Sequence, residues 1–359
     1  MKMHLGTRAL TTLTRLLFLP LLLTFLVAGC QTSSGPEDVP TQEIGVVVNS
    51  VDRSLTVFRV DDPTVRSVVG VGPDGSPVTL ALRGETAVVP LGTVPAAAVV
   101  DLRTSSVTRT VALPEGSGAT GAAFVNDSVA IVANSNLNTV SPINVRTGQR
   151  GAEIAVGRFP QAVIAAGDTV YVLNAELGPD FQPAGPGTVS VIAGSPLRVV
   201  KTITLGGTNP GGAALGPGGR IYVVNSGRFG RSEGSLSVID RASLTEVAHH
   251  TGFGSFPGSV AVDPANRAYV GGFGVGLLVW DALTATFIRG VANPVAPGGV
   301  TSVSGLGVDE AGRVYALEPE CQGPSVAFRL TSAYAVESEI AVGTCPFAIA
   351  FTRIPEGGA

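Results

Sequence analysis

Short apolar runs, divided by glycine, proline, asparagine or aspartate, recur along most of the chain in a fixed order. The clearest copies read V-Y-V-L-N from Val170 and I-Y-V-V-N from Ile221. Each is followed by a second apolar run, T-V-S-V-I from Thr188 and S-L-S-V-I-D from Ser235. The alternation and the β-branched residues indicate strands, and no stretch beyond residue 43 carries a convincing helical period. The pair returns about every 45 residues, which indicates one supersecondary unit used repeatedly.

Seven such units can be aligned on the V-Y-V type of strand. The cores of these strands are residues 45–49, 86–90, 129–134, 170–174, 221–225, 268–272 and 314–318. The strand before most of these cores is rich in Gly and Ala, as in 211–214, which allows several strands to converge around a central channel. After residue 43 the chain begins on the V-Y-V type of strand and ends, at 346–351, on the small-residue type. The last strand is therefore expected to complete the first unit and close the ring.

These features predict an all-β, seven-bladed β-propeller. Six or eight blades are the alternatives, because the second and third units diverge from the pattern. The composition agrees with the prediction, since 47 Gly and 25 Pro among 359 residues suit many short strands joined by turns. A hydrophobic fraction of 45% is ample for a large core.

The repeat motifs also resemble a known family. The motifs P-x-x-x-A, V-Y-V-x-N and T-V-S-V-I-D, found in units 160–205, 210–247 and 257–290, are similar to those of YVTN β-propellers, which are related to NHL and quinoprotein-dehydrogenase-like propellers. The resemblance spans nearly all of 44–353 and implies the propeller fold. Members include surface proteins, assembly factors and a few enzymes, so the resemblance implies little about activity.

The first 29 residues have the order of features of an export signal. Lys2, Arg8 and Arg15 precede or border the apolar run 16–27, which is too short for a comfortable membrane span. The residues L-V-A-G-C, ending at Cys30, resemble the lipobox of bacterial lipoproteins. This resemblance implies cleavage before Cys30, which then becomes the lipidated N-terminus. An ordinary signal peptide and an uncleaved anchor are the alternatives.

The predicted organisation is a signal peptide (1–29), a flexible tether (30–43), the propeller (44–353) and a disordered tail (354–359). The tether is polar, contains Pro and Gly, and has no periodicity. A lipid on its first residue would hold the domain at a membrane surface without a spanning helix. We therefore expect the protein to be located in the bacterial cell envelope, on the exported side of the membrane. Gln31, where an aspartate would indicate inner-membrane retention, slightly favours the outer membrane.

The charge of the exported part argues against one class of partner. Removal of residues 1–29 leaves 20 basic and 27 acidic side chains, a net charge of −7, and Lys201 is the single lysine that remains. No basic run is present. Binding to nucleic acid through its phosphates is therefore not expected.

Two cysteines remain once Cys30 is assigned to the lipid. In an exported protein, pairing of Cys321 with Cys345 is the default. Cys321 falls in the loop between the second and third strands of the seventh unit, and Cys345 falls just before the closing strand. Both loops emerge on the same face of the predicted propeller. A disulfide here would latch the closure of the ring, and two free thiols are the alternative.

Candidate chemistry is sparse, because the exported part lacks C-x-x-C and H-x-x-x-H motifs. The most suggestive set ends the second strands, and it consists of Asn49, Asn134, Asn174, Asn225 and Glu318. Side-chain oxygens ringing the channel mouth would suit Ca²⁺, the one cofactor considered. The set is similar in kind to the Glu/Asn/Asp ligands of gluconolactonase-family lactonases, which implies a metal-dependent hydrolase as one alternative. The structural interpretation is that these asparagines bond backbone groups of the following loops.

Loops on one face of the predicted propeller carry aromatic and charged residues. The longest are 175–187 and 227–234. The candidate binding residues are Arg158, Phe159, Asp180, Phe181, Arg228, Phe229, Arg231, Phe256 and Phe273, with Phe253 grouped beside them. Binding residues concentrate on loops held by a rigid scaffold, and aromatics and Arg are common interface anchors. The main prediction is a non-enzymatic binding or scaffold module for an envelope protein or glycan. The alternatives are the hydrolase and an outer-membrane assembly factor.

Overall fold

The computed structural model of the protein describes residues 40–357, whose strands form seven four-stranded antiparallel sheets arranged as blades around a channel. The prediction of a seven-bladed β-propeller is confirmed. From the channel outwards, blade 1 is β28 (Pro346–Pro355), β1 (Thr41–Asn49), β2 (Ser54–Arg59) and β3 (Arg66–Gly70). Blade 2 is β4 (Ala81–Arg83), β5 (Thr86–Pro90), β6 (Ala96–Asp101) and β7 (Ser106–Ala112). Blade 3 is β8 (Ala119–Phe124), β9 (Val129–Asn134), β10 (Thr139–Asn144) and β11 (Ile154–Ala155).

The remaining four blades follow the same path. Blade 4 is β12 (Pro160–Ala166), β13 (Thr169–Asn174), β14 (Thr188–Ala193) and β15 (Arg198–Thr204). Blade 5 is β16 (Pro210–Gly216), β17 (Arg220–Asn225), β18 (Ser235–Asp240) and β19 (Thr245–Thr251). Blade 6 is β20 (Pro257–Val262), β21 (Arg267–Gly272), β22 (Gly276–Asp281) and β23 (Thr286–Arg289). Blade 7 is β24 (Leu306–Val308), β25 (Val314–Leu317), β26 (Pro324–Leu330) and β27 (Val336–Thr344), and short 3-10 turns lie at Pro217–Gly219 and Pro297–Gly299.

The ring closes where the last strand pairs with the first, as the sequence predicted. The β28–β1 ladder is antiparallel and runs from Thr41 opposite Pro355 to Asn49 opposite Pro346. The predicted boundaries are wrong by a few residues at both ends. Residues 41–43 of the predicted tether and 354–355 of the predicted tail belong to this ladder, and Ile354 is fully buried. The extra pairing lengthens the one ladder whose two strands come from opposite ends of the chain.

The antiparallel path defines two faces. The loop face carries the connections between second and third strands and the crossovers from one blade to the next. The turn face carries the connections between first and second and between third and fourth strands. Because β1 is a second strand, it begins on the turn face, and β28 ends there as well. All nine candidate binding residues fall in loop-face segments.

The innermost strands surround a channel pocket of about 400 Å³, lined among others by Gly121, Gly212, Gly258, Gly305 and residues 347–350. The prediction that crowding selects small residues here is confirmed by geometry. A Cβ atom added to Gly121 would lie 2.8 Å from the backbone nitrogen of Val163 in the next blade. One added to Gly305 would lie 2.5 Å from the backbone oxygen of Phe347. Side chains at these positions would force neighbouring blades apart.

Hydroxyl groups near the loop-face end of the channel connect neighbouring blades. The Thr120 hydroxyl donates to the Pro160 carbonyl at 3.0 Å, and the Ser304 hydroxyl donates to the Pro346 carbonyl at 2.6 Å. Ser226 donates in the same way to the carbonyl of Pro257. In each case the acceptor is the proline that opens the first strand of the next blade. These bonds supplement the apolar cores, which each combine residues of two adjacent blades.

The predicted disulfide is present. Cys321 and Cys345 are bonded, with their Cα atoms 4.2 Å apart. The backbone N–H of Cys345 donates to the carbonyl of Glu320 at 2.7 Å, and its carbonyl accepts from the N–H of Ser50 at 2.9 Å. The crossover from blade 7 into the closing strand is therefore held on both sides, covalently to blade 7 and by a hydrogen bond to blade 1.

Candidate functional site

The asparagines at the ends of the second strands do not line the channel mouth. Asn49, Asn134, Asn174 and Asn225 are fully buried within their blades, and none of them lines the channel pocket. Their expected position is wrong because the first strand of each blade separates the second strand from the axis by one strand spacing, about 4.8 Å.

Each of these four side-chain amides donates two hydrogen bonds to hydroxyls of the neighbouring third strand. In blade 1, the Asn49 Nδ2 atom bonds the hydroxyls of Ser54 and Thr56 at 3.1 and 2.9 Å. The pattern is repeated by Asn134 with Thr139 and Ser141, Asn174 with Thr188 and Ser190, and Asn225 with Ser235 and Ser237. The repeat therefore consists of an asparagine and the two hydroxyls opposite it, which the sequence interpretation had not connected.

Three of these asparagines also contact the end of the preceding blade or the crossover that follows it. The Asn49 Oδ1 atom accepts the backbone N–H of Gly343 at 3.0 Å. In blades 4 and 5 the equivalent glycines, Gly157 and Gly207, lie against Asn174 and Asn225, whose Oδ1 atoms have no hydrogen-bond partner within residues 40–357. A Cβ atom on Gly207 would lie only 2.3 Å from Cγ of Asn225. Asn49 thus connects the second and third strands of blade 1 to the end of blade 7, whereas Asn174 and Asn225 pack against crossover glycines.

Glu318 occupies the corresponding position in blade 7. It follows β25, and the Ser325 hydroxyl donates to its backbone carbonyl at 2.8 Å and to its carboxylate at 3.3 Å. Within residues 40–357, no group of three or more His, Cys, Asp and Glu side chains is placed to hold a metal ion. The five residues considered for Ca²⁺ lie in five different blades, and each side chain bonds a hydroxyl of its own blade.

The aromatic candidates of blade 4 form a pair. Phe159, in the crossover into the blade, and Phe181, in the long loop after β13, pack edge to face with ring centroids 5.9 Å apart. Phe181 is 66% exposed. Arg158 and Glu176 form an ion pair beside them at 3.2 Å, and the carboxylate of Asp180 accepts the backbone N–H of Gln182.

A second pair bridges blades 5 and 6. Phe229 lies in the loop after β17 and packs edge to face on Phe256 of the next crossover, with centroids 5.5 Å apart. Phe229 is 77% exposed, and Phe273, at the tip of the loop after β21, is 52% exposed. Arg228 forms an ion pair with Glu233 at 3.2 Å, and Arg231 lies on the surface of the same loop.

Phe253 does not belong to this surface, so its grouping with the candidates is wrong. It is fully buried and packs against Trp280 and Phe287 in the core between blades 5 and 6. Beside the exposed Phe273, a pocket of about 420 Å³ is lined by glycine backbone and by Val275, Val291 and Pro294. The loop face thus combines protruding phenylalanines with an apolar recess.

A crossover motif that sequence reasoning missed positions two of these aromatics. Four crossovers read G-x-x-P, ending at Pro160, Pro210, Pro257 and Pro346. The residue before each of these prolines has a left-handed backbone: Phe159, Asn209, Phe256 and Cys345 have φ angles of 52°, 54°, 53° and 60°. Non-glycine residues rarely adopt this conformation. The repeated Gly and Pro three residues apart was the available signal, and it holds both Phe159 and Phe256 in a fixed backbone conformation.

A second missed motif, D-x-x-x-R-x-Y, occupies the turn face of blades 6 and 7. Asp309 is buried and accepts hydrogen bonds from the backbone N–H and Nε of Arg313 and from the Tyr315 hydroxyl, at 2.8, 2.6 and 3.0 Å. In blade 6 the same bonds join Asp263, Arg267 and Tyr269. Burial, together with the adjacent carboxylate, raises the pKa of each tyrosine well above its ordinary value. The two copies at identical spacing were the signal in the sequence.

Comparisons with known proteins agree on the fold. No protein-family model matches the chain, and no curated protein matches it. Hydrazine synthase of Kuenenia stuttgartiensis is similar in structure, with 17% identity, a TM-score of 0.60, and coverage of 72% of this chain and 78% of that chain. A protein of unknown function from Desulfotomaculum acetoxidans has 16% identity, a TM-score of 0.62, and coverage of 86% of this chain and 98% of that chain.

These likenesses, at such low identity, show the fold alone. Fold and site define the class as a seven-bladed β-propeller with an aromatic loop face and a disulfide at its closure. Across the described part of the chain, no helix has the length and apolar character needed to span a membrane. Cys30 and the predicted signal peptide lie outside the described residues.

Proposed function

We propose that this protein is a binding module of the bacterial cell envelope that captures a protein or glycan partner on its loop face. The observation that carries the proposal is the exposure of Phe181, Phe229 and Phe273 on three consecutive blades of one face. Full burial of a phenylalanine side chain contributes roughly 1.5–3 kcal/mol, so three such rings supply a substantial part of a binding free energy. Aromatic residues are also enriched among the residues that anchor protein interfaces.

Preorganisation of the phenylalanine rings also supports the binding proposal. Phe181 packs against Phe159, and Phe229 packs against Phe256. The backbone of both Phe159 and Phe256 is fixed by the G-x-x-P crossover. Rings held in place before binding lose less conformational entropy when a partner covers them. The apolar recess next to Phe273 offers room for a side chain of the partner.

The lipid anchor is part of the proposal. The described chain enters β1 on the turn face, opposite the face that carries the candidate binding residues. Mass spectrometry of the N-terminal peptide tests the modification directly. With the anchor, the protein fractionates with membranes and the Cys30→Ser variant does not; an unmodified Cys30 refutes the anchor without affecting the loop-face proposal.

A matched pair of triple variants tests the face. The test variant replaces Phe181, Phe229 and Phe273 by Ser, and the control replaces the exposed turn-face residues Val65, Leu215 and Leu283 by Ser. Site-specific crosslinking from the loop face in intact cells, followed by copurification, measures partner capture. We expect at least a tenfold loss for the test variant, which corresponds to about 1.4 kcal/mol, and no loss for the control.

Capture that survives the loop-face changes, or that falls equally in both variants, contradicts the assignment of the binding face. Unfolding is excluded as a cause by equal melting temperatures of the two variants. An outer-membrane assembly factor is a narrower form of the same proposal. Stable copurification with an integral membrane protein would identify it.

A further inference from the structure

A pocket on the turn face, between blades 6 and 7, is separate from the loop face. It has a volume of about 390 Å³. Its walls include Arg267 from blade 6 and Arg313 from blade 7, and the turn between the third and fourth strands of blade 7 adds Thr331 and Ser332. Glu337 completes the polar lining. Two guanidinium groups and two hydroxyls therefore border one recess.

A buried carboxylate holds each of the two arginines in place. Nε of Arg267 bonds the buried carboxylate of Asp263 at 2.7 Å, and Nε of Arg313 bonds that of Asp309 at 2.6 Å. Among the described residues, Nε makes the only side-chain hydrogen bond of each guanidinium. The arginine side chains remain 31% and 33% exposed, so the terminal nitrogens are accessible to a ligand.

We propose that this pocket binds a small oxyanion, a carboxylate or phosphate group, through the terminal nitrogens of Arg267 and Arg313. The planar guanidinium fork matches the geometry of such groups and forms strong, charge-assisted hydrogen bonds with them. The entropy of ordering the two side chains is already lost in the free protein, because Asp263 and Asp309 fix both Nε atoms. Thr331 and Ser332, which line the same pocket, carry hydroxyls that can also donate to an anion.

Neighbouring carboxylates limit the affinity. Asp263 and Asp309 neutralise the charge of the two arginines, and Glu337 lies in the wall itself, with Arg329 at 2.8 Å as its ion-pair partner. Recognition therefore depends on short-range hydrogen bonds rather than on a strong positive field. We expect a dissociation constant in the range of about 1 mM, and the charge of Glu337 is predicted to weaken binding.

Blade 5 shows why the site forms only where two complete motifs adjoin. There Gly216 stands at the position of the aspartate, and Arg220 is drawn to Asp240 of the neighbouring third strand through its terminal nitrogen. The terminal nitrogen that would meet a ligand is thereby already bonded. Blades 6 and 7, in contrast, both keep the aspartate and both leave the arginine tips accessible.

Calorimetric titration of the full chain at constant ionic strength tests the proposal, with inorganic phosphate in one arm and succinate in the other. Saturable binding of one equivalent of either anion is expected, and the tighter arm identifies the preferred group. Glu337→Gln should tighten binding about threefold to tenfold, and Arg267→Lys, which keeps the charge but loses the fork, should weaken it by a similar factor. Arg103→Gln removes a turn-face arginine outside the pocket and should change nothing.

Three results would overturn the site. The first is the lack of saturable binding of both anions up to about 50 mM, far above the expected dissociation constant. The second is an affinity unchanged in both Glu337→Gln and Arg267→Lys. The third is an equal loss in Arg103→Gln, which would show that general surface charge holds an adventitious ion only. Because Glu337→Gln leaves both aspartate–arginine pairs intact, the test does not depend on variants that disturb the fold.

Discussion

Removal of the Cys321–Cys345 disulfide tests how the ring is held closed. The bond joins residues 24 positions apart, at the crossover into the strand that completes blade 1. In the chain-entropy model, a loop of this length stabilises the folded state by about 3.5 kcal/mol at 25 °C, because the crosslink restricts the unfolded chain. A domain of about 320 residues has an unfolding entropy near 0.67 kcal/mol/K. The double variant Cys321→Ser/Cys345→Ser should therefore melt about 5 °C below the native chain.

Differential scanning calorimetry with and without a thiol reductant measures this shift. Reductant should lower the melting temperature of the native chain to that of the double variant, and it should leave the double variant unchanged. Hydrogen exchange at the amides of β28 and β1 should increase in the same variant if the loss is concentrated at the closure. A difference below about 1 °C would refute the entropic argument and would assign the closure to the β28–β1 ladder alone.

Two further predictions concern the repeat motifs, and a third concerns a histidine of β19. Gly207→Ala places a methyl group against the buried amide of Asn225 and should lower the free energy of unfolding by about 1–3 kcal/mol in urea denaturation. Gly258→Ala, with open space at its Cβ, should be nearly neutral. Equal losses in the two variants would contradict the close packing of Gly207 against Asn225. Asp309→Ala leaves three donors, of which the Tyr315 hydroxyl is buried, without their acceptor and should cost about 3–5 kcal/mol, a value that a loss below about 1 kcal/mol would refute. Burial lowers the pKa of His250, so the folded state binds fewer protons than the unfolded state just below pH 6.5, and stability should fall as the pH drops through this window. A melting-temperature series from pH 7.5 to pH 5 should be flatter for His250→Gln, and an unchanged slope would contradict this cause.

The local pattern determined most of the architecture. Short continuous apolar runs such as 170–173 are typical of strands buried on both faces, as β13 is, and the small residues of the first strands indicated their convergence. The incomplete unit at 346–351 required pairing with the start of the domain, and the ladder from Thr41 opposite Pro355 confirms it. The disulfide followed from the same count of strands, since it placed both cysteines on one face beside the closure.

The candidate site depended on information that the pattern does not carry. The residue type alone does not show whether an asparagine is buried or exposed. Only the pairing of β13 with β14 shows that Asn174 faces the hydroxyls of Thr188 and Ser190 rather than the channel. In the same way, the contrast between Phe253, which is fully buried, and Phe229, which is 77% exposed, is set by loop paths and not by residue type.

The sequence by itself predicted the fold class, seven blades with six or eight as alternatives, the closing strand and the cysteine pair, because these follow from periodicity and from the order of units along the chain. Only the tertiary structure decided which polar groups are used internally and which remain accessible. It paired the second-strand asparagines with third-strand hydroxyls, exposed three phenylalanines on one face, and brought Arg267 and Arg313 from separate blades to one pocket. The physical reason is that exposure and convergence depend on distances between residues far apart in sequence, and these distances exist only once the ring is closed.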